Sequence, residues 1–368
     1  MATTRISATV RFVRRYLVVP LVLLAMSAAL LPLIETDIWW IRYLDFMRLQ
    51  VAIALVGLIA VYAMLGGARG GMGALVMLLA LGGLVYQGYR LYPYAPVVSP
   101  MALQVSCPDE DSLSVLVANV QASNRQGDAF LKIVRDADPD VLVVMETNAW
   151  WNEQLASLGG YPHRHQYIPD GPAYYGMHLM SRLTLSDTRT EFFFDSHTPT
   201  MRATVELPGG KRVALFGLHP RPPHQWSQPS TSRDGHLARV GLIARDEDEP
   251  VVVAGDFNAT PWERATRLAM RLGGLLDPRV GRGLVPTYGA RSWWMSWPLD
   301  QVLFQAGIGL QSFERLPSFG SDHYPVLARL CVEPSLRERQ HAPDLREDDM
   351  EDAREAINAA QALHPDKK

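Results

Sequence analysis

Three apolar stretches within the first ninety residues constrain this chain more than any other feature of its sequence. They cover residues 17–34, 49–65 and 72–89, and each approaches the ~20 apolar residues that a helix needs to cross a bilayer. A signal peptide would explain only the first stretch, which is longer than the usual apolar region of such a peptide. A buried helical hairpin would explain the other two, but they have almost no polar face. The sequence therefore predicts three transmembrane helices in an N-terminal membrane domain over residues 1–90.

Basic residues near the first stretch predict the orientation of these helices. Arg5, Arg11, Arg14 and Arg15 precede it, and arginine and lysine are enriched on the cytoplasmic side of membrane proteins. The N-terminus is therefore expected in the cytoplasm, and three spans would leave everything after Arg90 outside it. This pattern is typical of a multi-pass protein of the cell membrane, of the bacterial inner-membrane type, whose larger part is periplasmic or otherwise extracytoplasmic.

The rest of the chain divides by composition into a linker, an α/β region and a charged tail. Residues 91–111 contain several prolines and show no periodicity, as expected of a linker. Residues 112–332 alternate short β-type runs, such as 113–120, with helical patterns. This favours an α/β domain whose sheet is covered on both faces. Residues 333–368 are rich in charge and alanine, so a disordered or loosely helical tail is expected.

Polar side chains recur where the apolar runs of the α/β region end. A buried sheet delivers side chains into a cleft at such positions. Taken singly, an asparagine there is usually a turn residue and a histidine a partly buried structural residue. Taken together, they are a set of carboxylates, amides and imidazoles. The set comprises Asn119, Glu146, His219, Asp256, Asn258, Asp300, Asp322 and His323.

Several short motifs contain these residues and follow one another along the chain. They are NV (119–120), the glutamate of VVMET, MSR (180–182), LH (218–219), GDFN (255–258), LDQV (299–302) and GSDHYPV (320–326). In this order, over about residues 112–332, they resemble the endonuclease/exonuclease/phosphatase superfamily, which has the DNase I-like fold. The resemblance implies a four-layer α/β sandwich of two packed β-sheets flanked by helices. It also implies phosphoester hydrolysis with a divalent metal ion, Mg²⁺ or alternatively Mn²⁺ or Ca²⁺.

The chemistry of phosphoester hydrolysis assigns roles to the carboxylates and amides of the set. Mg²⁺ prefers oxygen ligands and is typically held by one or two carboxylates. Glu146 is expected to supply that carboxylate, with Asn119 and Asp322 as further oxygen ligands. Asp256 would accept a proton from the attacking water, or orient it, and Asn258 would donate a hydrogen bond to the phosphate.

The two histidines of the set would act on the phosphate or on the leaving group. His323 would stabilise developing charge or serve as an acid or base. Asp300 would hold the other ring nitrogen of His323 and raise its pKa. His219 resembles the family's second histidine, which donates to the phosphate or the leaving group.

Three further features fall outside this pattern. His178 stands before the MSR motif, where the family often has a small residue, and it could line the cleft or be a structural histidine. The proline-rich segment after His219 carries Arg221, which could meet a substrate phosphate or lie in a rigid surface loop. Three tryptophans in residues 292–297 could stack a base, contact a lipid or pack in the core, and core or rim packing is favoured.

Cys107 and Cys331 are the two cysteines of the chain. They are far apart and form no Cys-x-x-Cys motif, so a zinc site made from them is not expected. Cys107 precedes the first strand of the α/β region and Cys331 ends the last. If these strands are antiparallel neighbours, as the resemblance implies, the two sulfurs could form a disulfide, which an extracytoplasmic location would permit.

Charge and composition narrow the classes of function. The net charge of −3 gives no global basic surface, which disfavours a dedicated duplex-DNA-binding protein but leaves a local basic groove open. The sequence predicts a membrane-anchored phosphoester hydrolase, and the alternative is a catalytically inactive binding module on the same fold. The substrate stays open among nucleic acids, nucleotides, phospholipids and sugar phosphates. The lipid bilayer is the other expected partner, and no obligate protein partner is inferred.

Overall fold

A computed structural model of the chain describes residues 8–170 and 173–364. The chain divides into two compact units, Met1–Pro93 and Tyr94–Lys368. The described part of the first unit is helical. Its helices are α1 (Ala8–Val13), α2 (Val19–Leu30), α3 (Trp39–Phe46), α4 (Arg48–Met64) and α5 (Gly71–Leu91), with a π-helical turn at Arg14–Val18 and short 3-10 turns at Leu31–Leu33 and Tyr92–Tyr94.

Helix length and apolar composition single out two helices of this unit. The helical segments Ala8–Leu33 and Gly71–Tyr94 are each long and apolar enough to cross a membrane. Helices α3 and α4 are bent by 73° relative to each other, and the two reach the length of a span only when they are counted together. Where the sequence predicts three membrane helices, the structure therefore has two candidates, or three if the bent pair is one span.

A buried polar network links four helices, α2 to α5, within the first unit. The guanidinium of Arg48 in α4 donates to the carboxylate of Asp45 (Nε to Oδ1, 3.1 Å) and to Gln87 Oε1 in α5 (3.0 Å). Gln87 Nε2 in turn donates to the carbonyl of Ala29 in α2, at 3.4 Å. Buried charged groups are stabilised when they are paired and hydrogen-bonded in this way.

The second unit contains all the strands of the described residues, together with five helices. The strands are β1 (Ser112–Asn119), β2 (Val141–Met145), β3 (His163–Tyr167), β4 (Met177–Ser181), β5 (Thr184–Glu191), β6 (Thr200–Glu206), β7 (Arg212–Leu218), β8 (Val251–Asp256), β9 (Leu275–Leu276), β10 (Asp300–Gln305), β11 (Ile308–Arg315) and β12 (Val326–Val332). The helices are α6 (Gly127–Ala137), α7 (Ala149–Ala156), α8 (Thr231–Arg245), α9 (Arg264–Gly273) and α10 (Asp349–Ala362), with short 3-10 turns at Asp109–Asp111, Ala173–Tyr175 and Pro334–Glu338.

These strands form two six-stranded mixed sheets. The order in the first sheet is β11-β12-β1-β2-β4-β3 and in the second β5-β6-β7-β8-β10-β9. The pairs β1–β2 and β7–β8 are parallel, whereas the other neighbours are antiparallel. The inner faces of the two sheets share one apolar core, to which Val115, Val143 and Val326 contribute from the first sheet and Leu215 and Val252 from the second.

Helices cover the outer face of each sheet. Phe130 of α6 and Trp151 of α7 pack against the first sheet. Leu237 of α8 and Ala269 of α9 pack against the second sheet. The strands β1 and β8 are therefore buried on both faces, which explains their continuous apolar sequences. The expected α/β fold of two packed sheets flanked by helices is confirmed.

The segment expected to be a linker is part of the second unit from Tyr94 onward. Tyr94 is buried and its ring lies 5.6 Å from that of Trp262. Ala102 is fully buried, and Gln104 forms a parallel bridge with Leu310. The ring contact of Tyr94 and the backbone bridge of Gln104 therefore hold this segment in place, although its proline-containing sequence predicts a linker.

The charged C-terminal segment also differs from the expected disordered or loosely helical tail. Helix α10 packs on α8 and α9, and it buries Ala353 and Ala360. A Cβ atom added to Gly235 of α8 would lie 2.5 Å from the Cβ of Ala360, so these small residues allow the two helices to approach closely. The carboxylate of Asp349 forms a buried ion pair with Arg271 of α9, at 2.6 Å.

A disulfide joins the beginning and the end of the two-sheet region. It links Cys107 to Cys331, whose Cα atoms are 5.5 Å apart. Cys331 lies in β12, where it is paired with Ser112 of β1 in an antiparallel ladder.

Candidate active site

The two sheets bring several strand ends to one place. Asn119 ends β1 and Glu146 follows β2 in the first sheet, whereas His219 follows β7 and Asp256 ends β8 in the second. Asp300 begins β10 directly opposite Asp256 in the ladder. Polar groups collect here because strands that run parallel within each sheet end at the same edge.

Asn119 connects the two sheets at this edge. Its Nδ2 donates to Glu146 Oε1 at 2.9 Å and to Asp256 Oδ2 at 3.1 Å. Its Oδ1 accepts from the backbone N–H of Gln121 at 3.0 Å. The sequence predicts an oxygen ligand at Asn119, but the structure has its amide nitrogen facing the two carboxylates, because these acceptors need a donor between them.

Glu146 is the carboxylate that best fits a divalent metal ion. Its side chain is 18% exposed, whereas that of Asp256 is 1% exposed. Oε1 accepts from Asn119, and no described residue donates a hydrogen bond to Oε2. A partly exposed carboxylate oxygen with space for water suits Mg²⁺, which is usually held by one or two carboxylates and keeps several water ligands.

A second, fully buried group of possible ligands contains Asp256, Asp300 and His323. The ligand atoms of these three residues lie within 4.8 Å of one another. His323 Nδ1 lies 2.7 Å from Asp300 Oδ2, and His323 Nε2 lies 3.5 Å from Asp256 Oδ2. Burial would lower the pKa of His323, but the carboxylates of Asp300 and Asp256 raise it to about 10. The two carboxylates beside His323 suit this arrangement to holding a proton on the imidazole.

His219 lies against the same carboxylates from the second sheet. Its Nε2 is 3.9 Å from Glu146 Oε1 and 3.8 Å from Asp256 Oδ2. Its Nδ1 is buried and has no hydrogen-bond partner among residues 8–170 and 173–364. The ring of Tyr175, which sequence reasoning missed, lies 5.8 Å from the imidazole. Nothing in the sequence distinguishes this tyrosine from its neighbour Tyr174.

Two site residues have left-handed backbone conformations. Glu146 has φ +56° and Asn258 has φ +49°. Such values cost a non-glycine residue about 1 kcal/mol or more, and they persist only where surrounding contacts hold them. The N–H of Asn258 donates to Asp256 Oδ1 at 2.9 Å and its Nδ2 donates to the carbonyl of Pro220 at 3.0 Å. The amide expected to bind phosphate is therefore engaged in holding its loop.

A buried arginine that the sequence does not predict lies behind this loop. Arg233 of α8 is 1% exposed, and its Nη1 donates to the carbonyl of Asn258 at 2.7 Å. Its Nη2 lies 2.8 Å from carboxylate oxygens of both Asp234 and Glu263. The sequence gives no signal for this role, since an arginine within a helical pattern usually faces solvent.

The side chain of His178 is engaged outside the site. His178 is 2% exposed, with Nδ1 2.9 Å from Thr147 Oγ1 and Nε2 3.0 Å from Asn152 Oδ1. Burial lowers the pKa of His178 to about 4, so it is a neutral structural histidine. The carboxylate of Asp322 is close enough to the site to help raise the pKa of His323, and its role as a metal ligand stays a prediction.

Arg221 and the tryptophan segment lie beside the site. Arg221 Nε forms an ion pair with Asp195 at 3.0 Å, and the guanidinium lies over the ring of Tyr175, at 5.4 Å. Trp297 is buried and stacks on Tyr288, as core packing predicts. Trp293 is 94% exposed, so core packing is wrong for this tryptophan.

Comparison with known proteins agrees with this fold and this order of motifs. A model of the Endonuclease/Exonuclease/phosphatase family matches residues 116–323. No curated protein sequence matches the chain.

Solved structures with similar folds cover more than half of the chain. The human Nocturnin catalytic domain with bound sulfate is 17% identical, with 63% of this chain and 99% of that chain covered and a TM-score of 0.51. Humanized D. rerio TDP2 is 18% identical, with 60% and 99% covered and a TM-score of 0.50. D. rerio TDP2 complexed with a single-strand DNA product is 18% identical, with 60% and 98% covered and a TM-score of 0.50. At these identities the likeness concerns the fold alone.

Proposed function

The chain belongs to the endonuclease/exonuclease/phosphatase family, and we propose that it is a membrane-anchored, metal-dependent hydrolase of phosphoester bonds. The observation that carries this proposal is the contact of Asn119 with both Glu146 and Asp256, 2.9 and 3.1 Å away. It joins a partly exposed carboxylate to a buried one at the meeting point of two sheets. Burying carboxylates costs free energy, and their convergence beside a partly exposed carboxylate at the strand ends favours a catalytic site over a binding surface.

Glu146 would hold a divalent cation, with Mg²⁺, Mn²⁺ and Ca²⁺ as candidates. When bound, the cation would supply Lewis-acid stabilisation of the phosphoryl oxygens. Asp256 is oriented by the donors Asn119 and Asn258 and would take the proton of the attacking water. Its position between the partly exposed Glu146 and the buried His323 suits this role.

The histidines would stabilise the charge that develops on the phosphoryl group. His323 is an imidazolium at neutral pH, with Nδ1 donating to Asp300 and Nε2 directed to the side of Asp256. A fixed donor in a buried site stabilises developing charge strongly because it needs no reorganisation. His219 would donate from Nε2 at the opposite side of the same carboxylates.

Hydrolysis of bis-p-nitrophenyl phosphate by the full chain tests this site. Activity should be lost with EDTA and restored by Mg²⁺ or Mn²⁺. Glu146→Gln, Asp256→Asn and His323→Ala should each lower kcat by about 10²-fold or more. Asp136→Asn, on the exposed surface of α6, is the matched control and should keep wild-type activity. Full activity in all three site variants would reject the site.

Membrane anchoring through the first unit is the second part of the proposal. It is supported by the apolar segments Ala8–Leu33 and Gly71–Tyr94. The N-terminus would be cytoplasmic and the second unit extracytoplasmic, and the Cys107–Cys331 disulfide suits an oxidising compartment. Fluorescent-protein fusions after Lys132 should stay dark and alkaline phosphatase fusions should be active. The reverse result would place the second unit in the cytoplasm.

Nucleic acids, nucleotides, phospholipids and sugar phosphates are the candidate substrate classes. A panel of these compounds, assayed with each of the three cations, would identify it. Loss of a hit in the Asp256→Asn variant would link that activity to this site.

A further inference from the structure

Strongly exposed aromatic side chains of the second unit occur on loops beside the candidate site. Trp293 is 94% exposed, Trp226 71%, Tyr174 62% and Trp294 54%. Exposed tryptophan leaves a large apolar area in water, so a cluster of such residues usually marks a binding surface. The other large apolar side chains exposed in the described part of this unit are aliphatic, namely Val97, Leu345 and Leu363.

Each of these loops is attached to a residue of the site. Tyr174 immediately precedes Tyr175, whose ring contacts His219. Trp226 lies in residues 220–230, the segment that follows His219 in the chain. Residues 289–296, which carry Trp293, follow Tyr288, and the ring of Tyr288 lies 5.0 Å from that of His323. These three short segments, residues 173–176, 220–230 and 289–296, are called the aromatic loops below.

The loop that carries Trp293 is closed by backbone hydrogen bonds at its base and by a turn at Gly289. Tyr288 and Trp297 stack at its base and exchange backbone hydrogen bonds of 2.8 and 3.1 Å. Gly289 has φ +84°, and a Cβ atom there would lie 2.0 Å from the carbonyl oxygen of Met295. The turn therefore requires glycine, and Trp293 is presented by a closed loop at a fixed offset from His323.

The charge of the aromatic loops suits an anionic surface. Residues 173–176, 220–230 and 289–296 contain no aspartate or glutamate. The exposed Arg291 is held in place by hydrogen bonds from Nη2 to Gln121 Oε1 (2.8 Å) and to the carbonyl of Gly320 (2.9 Å). A fixed arginine beside exposed tryptophans matches the phosphate and interfacial layers of a bilayer.

We propose that the aromatic loops dock on a lipid bilayer, with Trp293 entering the headgroup region and Arg291 meeting lipid phosphates. The inference rests on the proposed membrane association of the chain. Tryptophan and tyrosine are the side chains enriched at membrane–water interfaces, and all four exposed aromatic residues are of these two types. A groove for single-stranded nucleic acid needs a track of cations along the backbone, whereas Arg221, the arginine of residues 220–230, is paired with Asp195.

Site-specific labelling of the full chain tests the proposal. The native cysteines are joined in a disulfide, so Trp293→Cys introduces a thiol that a fluorophore can label selectively. The matched control is Lys132→Cys, whose side chain is 70% exposed on α6. Both variants are reconstituted into vesicles of phosphatidylcholine and phosphatidylglycerol, with a share of the lipid spin-labelled near the headgroup.

We expect severalfold stronger quenching by the spin-labelled lipid at position 293 than at position 132. Arg291→Gln in the labelled Trp293→Cys background should weaken that quenching. Equal quenching at the two positions would overturn the proposal. Shielding of the label by a single-stranded oligonucleotide, without quenching by lipid, would overturn it in favour of base stacking. Quenching does not require hydrolysis, so failure of this test and failure of the proposed enzymatic activity are read separately.

Discussion

The Asp300–His323 pair is the strongest electrostatic contact of the site at the scale of single residues. The two side chains are 2.7 Å apart, and the carboxylates of Asp300 and Asp256 keep the pKa of His323 at about 10 despite its burial. The protonation of His323 therefore depends on a neighbour that need not touch the substrate. The effect of Asp300 on His323 can therefore be tested by measuring activity as a function of pH.

Asp300→Asn should shift the pH profile of the enzyme. Without that negative charge, burial lowers the pKa of His323, so the imidazolium is lost at a lower pH than in the wild type. The alkaline limb of kcat/KM should move toward neutral pH, with a loss of about tenfold for each pH unit above the new pKa. The readout is hydrolysis of bis-p-nitrophenyl phosphate across pH.

Asp322→Asn is the control for this shift. Asp322 lies beside His323 in sequence, but its carboxylate contributes less to the raised pKa than those of Asp300 and Asp256. A smaller displacement of the alkaline limb is expected. If the two variants have identical profiles, Asp300 does not set the charge of His323.

Arg233→Lys should lower activity without unfolding the protein. Arg233 holds the carbonyl of Asn258 while pairing with Asp234 and Glu263, and an ammonium group cannot reproduce this planar, multidentate contact. We expect kcat for bis-p-nitrophenyl phosphate to fall about tenfold while KM changes less. Arg239→Lys, an exposed arginine on the same helix, should behave as wild type. A change in KM alone would contradict the positioning role.

The sequence predicts the main carboxylates of the site because each lies at the end of an apolar run. Glu146 follows β2, Asp256 ends β8 and Asp300 begins β10, and all three strands are buried. It does not predict Arg233, because helix α8 is buried on more than one side and its pattern has no clear apolar face. The orientation of the Asn119 amide is likewise set by its neighbours in space, which the chain supplies from distant positions.

At the scale of elements, the buried strands are predicted well and the polar ones poorly. β1 and β8 have continuous apolar sequences and lie where the sequence predicts them. β3 reads HRHQY and has no apolar alternation, so it was not predicted. β5, Thr184–Glu191, is likewise an edge strand with mostly polar side chains. Edge strands depend on backbone pairing with a neighbour, which sequence periodicity does not show.

Helix α10 offers a stability test at this scale. Asp349→Asn removes the charge that pairs with Arg271 and leaves a buried guanidinium without its counter-ion. Breaking such a pair should lower the free energy of unfolding by about 3 kcal/mol, seen as a lower Tm. Asp348→Asn is the matched control, since its side chain is exposed one position earlier. Equal Tm values for the two variants would show that α10 contributes little to the folded unit.

At the scale of the whole molecule, the disulfide closes the second unit over a sequence separation of 224 residues. Replacing both cysteines, Cys107→Ser with Cys331→Ser, should lower stability by about 2–4 kcal/mol, because the unfolded chain regains freedom. A reducing agent should lower the Tm of the wild type but not that of the double variant. Mobility on a non-reducing gel should likewise change on reduction only for the wild type. Two titratable thiols in the oxidised wild type would contradict the bond.

The organisation of the molecule into an apolar N-terminal part and a two-sheet part is visible in the sequence from hydropathy alone. Hydropathy does not predict that residues 94–111 and the C-terminal helix are packed in a defined structure. Both segments are fixed by contacts with distant parts of the chain, such as those of Tyr94 with Trp262 and of Asp349 with Arg271. Pairings of this kind leave no periodic trace, since they join positions far apart in the chain.

The left-handed backbone conformations of Glu146 and Asn258 affect which residues are expected at these two positions in related sequences. Glycine adopts these dihedral angles without penalty, so drift toward glycine at 146 or 258 would make the chain easier to fold once selection for turnover relaxed. A carboxylate and an amide, in place of glycine, are therefore expected at these two left-handed positions only while selection for turnover continues. Among sequences of this type, those with a glutamate and an asparagine at these two positions should be active enzymes. Those with glycine at either position should have lost activity.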